Sequence, residues 1–461
     1  MRYTLTFQEA QFHNLIEHLF GMAEVEAAAY LLCNTSVGHD ETRLLVTDVI
    51  PVKDTDLELA TRSELVIKHS SYLSAIQLAD LKSKSFVFVH SHPEDHPDHS
   101  SQDDDEETDL FKTAYCRIHT DAAVHASLVL SGPAAPNGRV WLEDGTTHPI
   151  ERVRVVGNRV TFFDKDQAAA FDLSAFDRQI RAFGEETQNL LTRLTVGVVG
   201  LGGTGSAVVE QLTRLGIGKL IICDPQDFEA TNVNRVYGSS KADHGKQKSA
   251  IARRNVEHIG TGTQIVILEG DTFSQTTIKE LSSCDLVFNC TDDEFSRAVA
   301  SRLSLFYLIP VFDMGVEIDS SEGVIRSVRG RVTTLLPGSP CVFCRGIVTA
   351  DVISAEVMHR NNPGEYARQL KQGYVPELAA TAPSVVMFTT AVASVAISEL
   401  LQRLTGFMGD NRTSTEVILR FDESKTSTNT KISREGCWCT QSENWGRGDV
   451  EPLLGQTWGG V

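Results

Sequence analysis

Apolar residues along the 461-residue chain change their period several times, and those changes divide it into segments. Phe7 to Phe20 places apolar residues at helical spacing, and Arg43 to Pro51 alternates as a strand does. Glu26 to Leu32 is an apolar run that fits a strand or the end of a buried helix. Glu64 to Leu81 predicts a helix, and Phe86 to Val89 a short buried strand. Strands follow over Ala122 to Leu130 and Arg139 to Leu142, with a loop from Ser131 to Gly138. Val153 to Phe163 predicts a strand pair about Gly157-Asn158. Val196 to Val199 is an apolar run of the kind a parallel sheet buries, and Ala207 to Leu215 restarts the helical period. Lys219 to Cys223, Asp285 to Asn289 and Thr415 to Phe421 predict further strands. Ser384 to Leu404 predicts a long apolar helix for the core or a dimer interface. The pattern assigns residues 1–155 to an α+β domain, 156–172 to a linker, 173–440 to an α/β domain with a mostly parallel sheet, and 441–461 to a flexible tail.

Composition narrows the class. With 42 Lys and Arg against 61 Asp and Glu the formal charge is −19, which argues against a nucleic-acid binder and toward protein partners, basic ones among them. No apolar run reaches the length of a membrane span. The N-terminus MRYTLTFQEA lacks the basic-then-apolar build of a secretion signal, so the expected location is cytoplasmic. Nine cysteines in such a chain point to metal or chemistry rather than to a disulfide framework.

The densest chemistry in the first domain is His90-Ser91-His92-Pro93, followed by Ser100 and Asp103. Alternate residues of an extended segment point the same way, so His90 and His92 can offer two imidazoles to one metal ion. Asp103 can add a carboxylate from the start of a following helix, with Ser100 one turn before it. Three ligands leave a fourth tetrahedral position for water, the arrangement of a catalytic zinc site. An overlapping pair, Ser101 and Asp104, leaves the register open by one residue. This set resembles the JAB/MPN (JAMM) zinc metalloproteases, whose pattern is a distant Glu, then HxHP and SxxD. The resemblance implies zinc on His90, His92 and Asp103, Glu26 rather than Glu24 as general base, and Ser100 steadying an oxyanion. It also implies cleavage after the C-terminal tail of a ubiquitin-like protein. The family's glycine after that Glu is missing, and Ala29 stands in its place. From Glu94 to Asp109 nine residues are acidic and none is Lys or Arg, which fits a solvated surface or a rim for a basic partner.

In the second domain Val196 to Ser206, VGVVGLGGTGS, gives a strand, the spacing Gly200-x-Gly202-x-x-Gly205 and a helix start. Together these turn backbone N–H groups toward a phosphate. Asp224 ends the next strand, where a ribose hydroxyl is usually held. NAD, FAD and ATP all fit to that point. Thr231-Asn232-Val233-Asn234-Arg235 and Gly245 to Lys248 then add cations, which suit a triphosphate with a departing pyrophosphate. Asp292, at the end of the strand closing at Asn289, can hold Mg²⁺ near the phosphates. The ordered set Arg178-Gln179, Gly200 to Ser206, Asp224, Thr231 to Arg235, Gly245 to Lys248 and Cys290 to Asp293 resembles the ThiF/MoeB family, the adenylating core of ubiquitin-activating enzymes. The resemblance implies a Rossmann-like fold with ATP held by Gly200, Gly202, Gly203, Gly205, Asp224, Asn232, Asn234, Arg235 and Lys248, and Mg²⁺ by Asp292. It gives catalytic roles to Arg235, Lys248 and Arg178, the last reaching the phosphates from the partner subunit of a homodimer. Gln226 replaces the family's second Asp, and Asp293 the Asn of its CTDN.

Cys341-x-x-Cys344 and Cys437-Trp438-Cys439 supply four thiolates in two close pairs and predict a structural zinc site. Many relatives carry a reactive Cys in a crossover loop. Here that loop, Gly373 to Pro383, has none, and Val375 lies near its place. The combined expectation is a bifunctional enzyme for a ubiquitin-like protein ending in Gly-Gly. A zinc (iso)peptidase trims or releases the modifier, and ATP-dependent adenylation activates its terminal carboxylate for a conjugating enzyme or a sulfur donor. Two other classes compete: a non-catalytic JAB/MPN scaffold with a nucleotide-binding domain, and an NAD-dependent oxidoreductase, which Arg235, Lys248 and the cysteine pairs disfavour.

Overall fold

The computed structural model describes the chain except residues 22–24, 63, 93–97, 121–122, 133–135, 273, 379–381, 411, 430 and 451–461. Glu24, Pro93, the start of the acidic run, part of the crossover loop and the end of the tail therefore lie outside the described residues. The chain forms two compact units. The first holds Met1–Gln167 with the short segments Phe306–Leu308 and Glu443–Pro452, and the second holds the remainder.

In the first unit the elements run β1 (Arg2–Gln8), α1 (Glu9–Phe20), β2 (Ala28–Val37), β3 (Glu41–Pro51), β4 (Leu57–Ala60), β5 (Leu65–Ile67) and α2 (His69–Leu81). They continue through β6 (Ser85–Ser91), α3 (Ser101–Arg117), β7 (His125–Leu130), β8 (Pro136–Trp141), β9 (Thr147–Val156) and β10 (Val160–Asp164). The main sheet has the order β1-β3-β2-β6-β7-β8-β9-β10 and closes on itself because β1 also pairs with β9. Alternation sorts its side chains onto two faces. Leu31, Val87, Val89 and Leu128 pack with Phe12, Leu15 and Leu19 of α1. Tyr30, Leu32 and Phe86 pack with Ala75, Ile76 and Ala79 of α2 and Phe111 and Ala114 of α3. Each such Leu or Phe contributes about 1.5–3 kcal/mol of burial, so β6, covered on both faces, is a rigid platform.

The predicted helix over Glu64 to Leu81 starts late. Leu65–Ile67 pairs with β4 instead, and the helix begins at His69. Val66 and Ile67 are β-branched and suit a strand, which the helical spacing of Glu64 to Leu81 concealed. Part of the expected flexible tail is hydrogen-bonded into this unit. Asn34 Nδ2 donates to Gly446 O at 2.9 Å, and Val37 N to Asp449 Oδ2 at 2.8 Å. Gly448 permits that approach, since a Cβ there would lie 2.4 Å from the Thr35 carbonyl oxygen.

The second unit begins with α4 (Asp177–Phe183), α5 (Glu185–Arg193), β11 (Thr195–Val199), α6 (Gly203–Leu215), β12 (Lys219–Cys223), α7 (Lys248–Ile259) and β13 (Gln264–Leu268). Next come α8 (Gln275–Leu281), β14 (Leu286–Asn289), α9 (Glu294–Phe306), β15 (Val311–Ser321) and β16 (Val324–Leu335). Last are α10 (Ala350–Asn361), α11 (Pro363–Gln372), α12 (Val386–Thr405), β17 (Glu416–Arg420) and β18 (Lys425–Asn429). The sheet order is β13-β12-β11-β14-β15-β16-β17-β18, parallel from β13 to β15 and antiparallel beyond. Strand order reverses between β11 and β14, the switch point at which open α/β sheets leave a crevice beyond their carboxyl ends. The helix predicted from Ser384 is α12, whose Val392, Ala393, Ala396 and Leu400 are buried against α6, β15 and β16. Among the described residues no helix is long and apolar enough to cross a membrane.

Candidate active sites

His90 is the last residue but one of β6 and His92 follows the strand's end, so the two-residue repeat turns both rings to one side. Phe88, two residues earlier, stacks on the His90 ring with centroids 5.2 Å apart. The two Nε2 atoms stand 3.0 Å apart. Asp103 Oδ1 is 3.3 Å from His90 Nε2, and Oδ2 is 3.7 Å from His92 Nε2. Ligand atoms on one tetrahedral zinc at about 2.0–2.1 Å lie roughly 3.3 Å from one another, so these residues fit such an ion. Two imidazole nitrogens and a carboxylate brought this close, in buried or half-buried positions, call for a cation between them. Among the described residues His90 Nδ1, which is buried, has no hydrogen-bond partner.

Asp103 rather than Asp104 takes this place, which settles the register. Ser100 caps α3 and fixes it: Asp103 N donates to Ser100 Oγ at 3.1 Å, and Ser100 N donates to Asp103 Oδ2 at 2.5 Å. Burial would raise the Asp103 carboxyl, but the bond and charge of His90 and the Ser100 donors outweigh it and hold the acid well below its ordinary range. Asp104 turns away to Arg139. Glu26 lies just before β2, where its N–H donates to Thr61 O at 2.7 Å, and it lines the same cavity of about 310 Å³ as His90, His92, Ser100 and Asp103. Only 8% of Glu26 is exposed, and burial pushes its carboxyl up to about 7. A carboxyl so placed can take and return a proton near neutral pH.

A buried network behind this site escaped the sequence reading. Glu107 Oε2 accepts from Ser127 Oγ (2.6 Å), Arg139 Nη2 (2.7 Å) and Trp141 Nε1 (2.9 Å). His99 Nε2 meets Ser127 Oγ at 3.1 Å, and burial followed by the charge of Arg139 holds that imidazole neutral, down to about 3. The one sequence signal was helical spacing: Glu107 is four residues beyond Asp103 and shares its face.

In the second unit each glycine of the turn has a separate duty. Gly200 adopts φ +84°, a conformation that side chains resist. A Cβ on Gly205 would lie 1.8 Å from the Gly200 carbonyl oxygen, so only glycine lets α6 start there. A Cβ on Gly202 would meet nothing within 4 Å. Gly202 is the N-cap residue of α6, so the open space adjoins a helix start, where a phosphate can approach. Asp224 Oδ2 accepts from Leu201 N at 2.7 Å and lies 3.9 Å from Lys248 Nζ, which donates to Gln226 Oε1 at 2.6 Å. Gln226 thus anchors the lysine in the place of the family's second carboxylate.

The remaining sequence-predicted residues divide into local and outward groups. Asn232 is buried and accepts from Glu229 N at 3.1 Å, closing its own turn. Arg235 Nη1 donates to Thr231 O (2.8 Å) and Asn234 Oδ1 (3.3 Å), so Asn234 holds the guanidinium. Asp292 is exposed beyond β14, and Arg178 is exposed on α4. Behind the turn that carries Asp292 lies a buried cluster that the sequence did not disclose. Asp313 accepts from Asn289 Nδ2 (2.8 Å) and Arg297 Nη1 (2.9 Å) and pairs with Arg331 Nη2 (2.7 Å), while Arg297 Nη2 donates to Thr291 O (2.8 Å) and steadies the turn carrying Asp292.

The four predicted cysteines converge. Cys341 and Cys437 sulfurs lie 3.8 Å apart, and those of Cys344 and Cys439 3.7 Å. Four sulfurs bound to zinc at about 2.3 Å stand roughly 3.8 Å from one another, so this cluster fits a structural ion. Cys290 is different. Burial raises its thiol far above the ordinary value, which makes it a poor nucleophile.

Two predictions follow from these geometries. Gly202→Ala should leave the melting temperature unchanged yet weaken ATP binding at least tenfold, whereas Gly205→Ala should lower both; calorimetry beside ATP titration separates them. Glu26 has its folded carboxyl raised to about 7 from 4.5, so the stability it brings is full below pH about 4.5 and is lost as pH climbs through about 7. In chelator-treated protein Glu26→Gln should therefore stabilise by about 2 kcal/mol at pH 8 and by little at pH 4.5. Equal effects at the two pH values would refute the burial of that carboxyl.

Comparison with known proteins agrees with both halves. Residues 176–439, more than half of the chain, match the ThiF family, and residues 8–143 match the prokaryotic homologs of the JAB domain. SAMP-activating enzyme E1 of Haloferax volcanii is 26% identical over 180 residues, covering 38% of this chain and 63% of that enzyme. Ubiquitin-like modifier-activating enzyme 5 of Caenorhabditis elegans is 38% identical over 170 residues, covering 33% of this chain and 39% of its own length. The Xenopus laevis form is 29% identical over 197 residues, covering 40% of this chain and 48% of its own length. The matches thus span less than two thirds of these relatives' length. Among solved structures, E. coli MccB with MccA-N7isoASN aligns at a TM-score of 0.46 and 16% identity, over 59% of this chain and 76% of that one. The chain belongs to the ThiF family and carries a JAB-like domain ahead of its ThiF domain.

Proposed function

We propose that this chain prepares and activates a ubiquitin-like protein ending in Gly-Gly: the first domain is a zinc-dependent (iso)peptidase, the second an adenylyltransferase. The observation that carries the second half is the open face of Gly202 at the sheet's switch point, with Asp224 and Lys248 held together beside it. The names of the relatives, which activate small protein modifiers, favour the same substrate class.

The terminal carboxylate attacks the α-phosphorus of ATP. An acyl–O–P bond forms, the bond to the β-phosphate oxygen breaks, and pyrophosphate leaves. The α6 N–H groups beside Gly202 and Gly203 receive the phosphates, Asp224 the ribose, and Lys248 and Arg235 the charge that develops on the leaving group. Asp292 would hold Mg²⁺, which neutralises phosphate charge. Arg178 is free to serve the site of a second copy in a homodimer. With the Cys290 thiol raised far above its ordinary value and Val375 in the crossover loop, the adenylate passes to a separate thiol, that of a conjugating enzyme or a sulfur donor.

In the first domain His90, His92 and Asp103 would hold zinc, which supplies Lewis acidity toward the scissile carbonyl and acidifies water. Glu26 takes the attacking proton and returns it to the leaving amine. The Ser100 hydroxyl uses its oxygen to cap α3, leaving its hydrogen for the developing oxyanion.

ATP–pyrophosphate exchange should appear when a mature Gly-Gly protein is supplied, and Lys248→Ala should reduce it at least a hundredfold. Absence of exchange with every Gly-Gly partner tried would remove the adenylation half. Glu26→Gln should retain zinc and lose cleavage of an extended or conjugated modifier; full cleavage by that variant would remove the peptidase assignment.

A further inference from the structure

A second cavity, of about 280 Å³, adjoins the metal centre and shares Leu65, Phe88, Asp103 and Glu106 with the first. One wall is apolar and aromatic, with Tyr30, Tyr72 and the strand β5. The other is a single face of α3, where Asp103, Glu106, Glu107 and Leu110 recur at helical spacing. Among its described lining residues four are carboxylates and none is Lys or Arg.

Two of those carboxylates are already engaged. Asp103 faces the histidines, and Glu107 is paired with Arg139. The other two have only weak company. Glu106 accepts a bond from Gln102 at 3.0 Å, and Asp109, 89% exposed, sees Lys112 at 3.7 Å. An exposed pair of that kind is readily exchanged for another cation. The part of the acidic run on α3 thus has a side spent on structure, where Asp104 holds Arg139, and a side turned to a cavity.

We propose that this second cavity binds one long cationic side chain, arginine or lysine, of the peptide presented to the metal centre. The proposal rests on the peptidase reading for its substrate. The methylene stem lies against Tyr30, Tyr72 and Phe88, and the charge meets Glu106 and Asp109. An apolar side chain of the same length gains the wall but leaves the carboxylates unanswered, and an acidic one is repelled.

The test is binding, so that it does not depend on turnover. Full-length, zinc-loaded protein carrying Glu26→Gln is titrated with fluorescein-labelled hexapeptides ending Gly-Gly, in which one arginine is moved through the four preceding positions and compared with norleucine. At one position arginine should bind at least tenfold more tightly. The double variant Glu106→Gln/Asp109→Asn, both at exposed positions, should reduce that ratio below twofold. Equal binding of arginine and norleucine at every position, or no binding of either series, overturns the pocket. Cleavage of a folded modifier reads the peptidase proposal separately. Absence of arginine selectivity in the Glu26→Gln protein, with cleavage by the native chain intact, rejects the pocket alone, and selectivity there without cleavage by the native chain rejects the peptidase alone.

Discussion

β6 and β11 carry only apolar residues and glycine along their buried middles, so their chemistry collects where they end. That constraint shapes both domains. In β6 the sequence FVFV is sealed between two helical layers, and the first polar rings stand at His90 and just beyond it, at His92. In β11 Val196 to Val199 is buried, and the chain must turn at Gly200 before any ligand can approach. The rigidity bought by burial fixes these ends to the precision a metal ion or a phosphate requires.

Capping completes each site. The Ser100–Asp103 box satisfies the N-terminus of α3 and in the same act presents the Asp103 carboxylate to the two imidazoles. The start of α6 has no side-chain cap; its N–H groups are left for a ligand, with Gly202 clearing the approach. One helix start is closed and turns a carboxylate toward two imidazoles, and the other is left open.

Much of this was legible in the sequence, because the signals are local. Two histidines at strand spacing, a serine and aspartate three apart, and three glycines with a helix behind them each fix a geometry within a few residues. What was not legible depends on distant partners. Glu107 draws its hydrogen bonds from Ser127, Arg139 and Trp141, which β7 and β8 bring from 20 to 34 residues away. Asn289, Asp313 and Arg331 meet because β14, β15 and β16 are neighbours, and α9 brings Arg297 to them. The start of α2 was misplaced because Leu65–Ile67 finds a partner in β4, which no period within Glu64 to Leu81 discloses. Composition suggested a loose C-terminal segment, whereas Gly448 serves a close approach to β2.

The central claim is that one chain both exposes and activates the same carboxylate. Its most direct measurement is pyrophosphate release from ATP, with zinc and magnesium present, given either a ubiquitin-like protein already ending in Gly-Gly or its precursor with residues beyond that pair. The account predicts release with both substrates for the native chain, and for Glu26→Gln release with the mature form only. Release from the uncleaved precursor by Glu26→Gln, or none from the precursor by the native chain while the mature form is active, would contradict it.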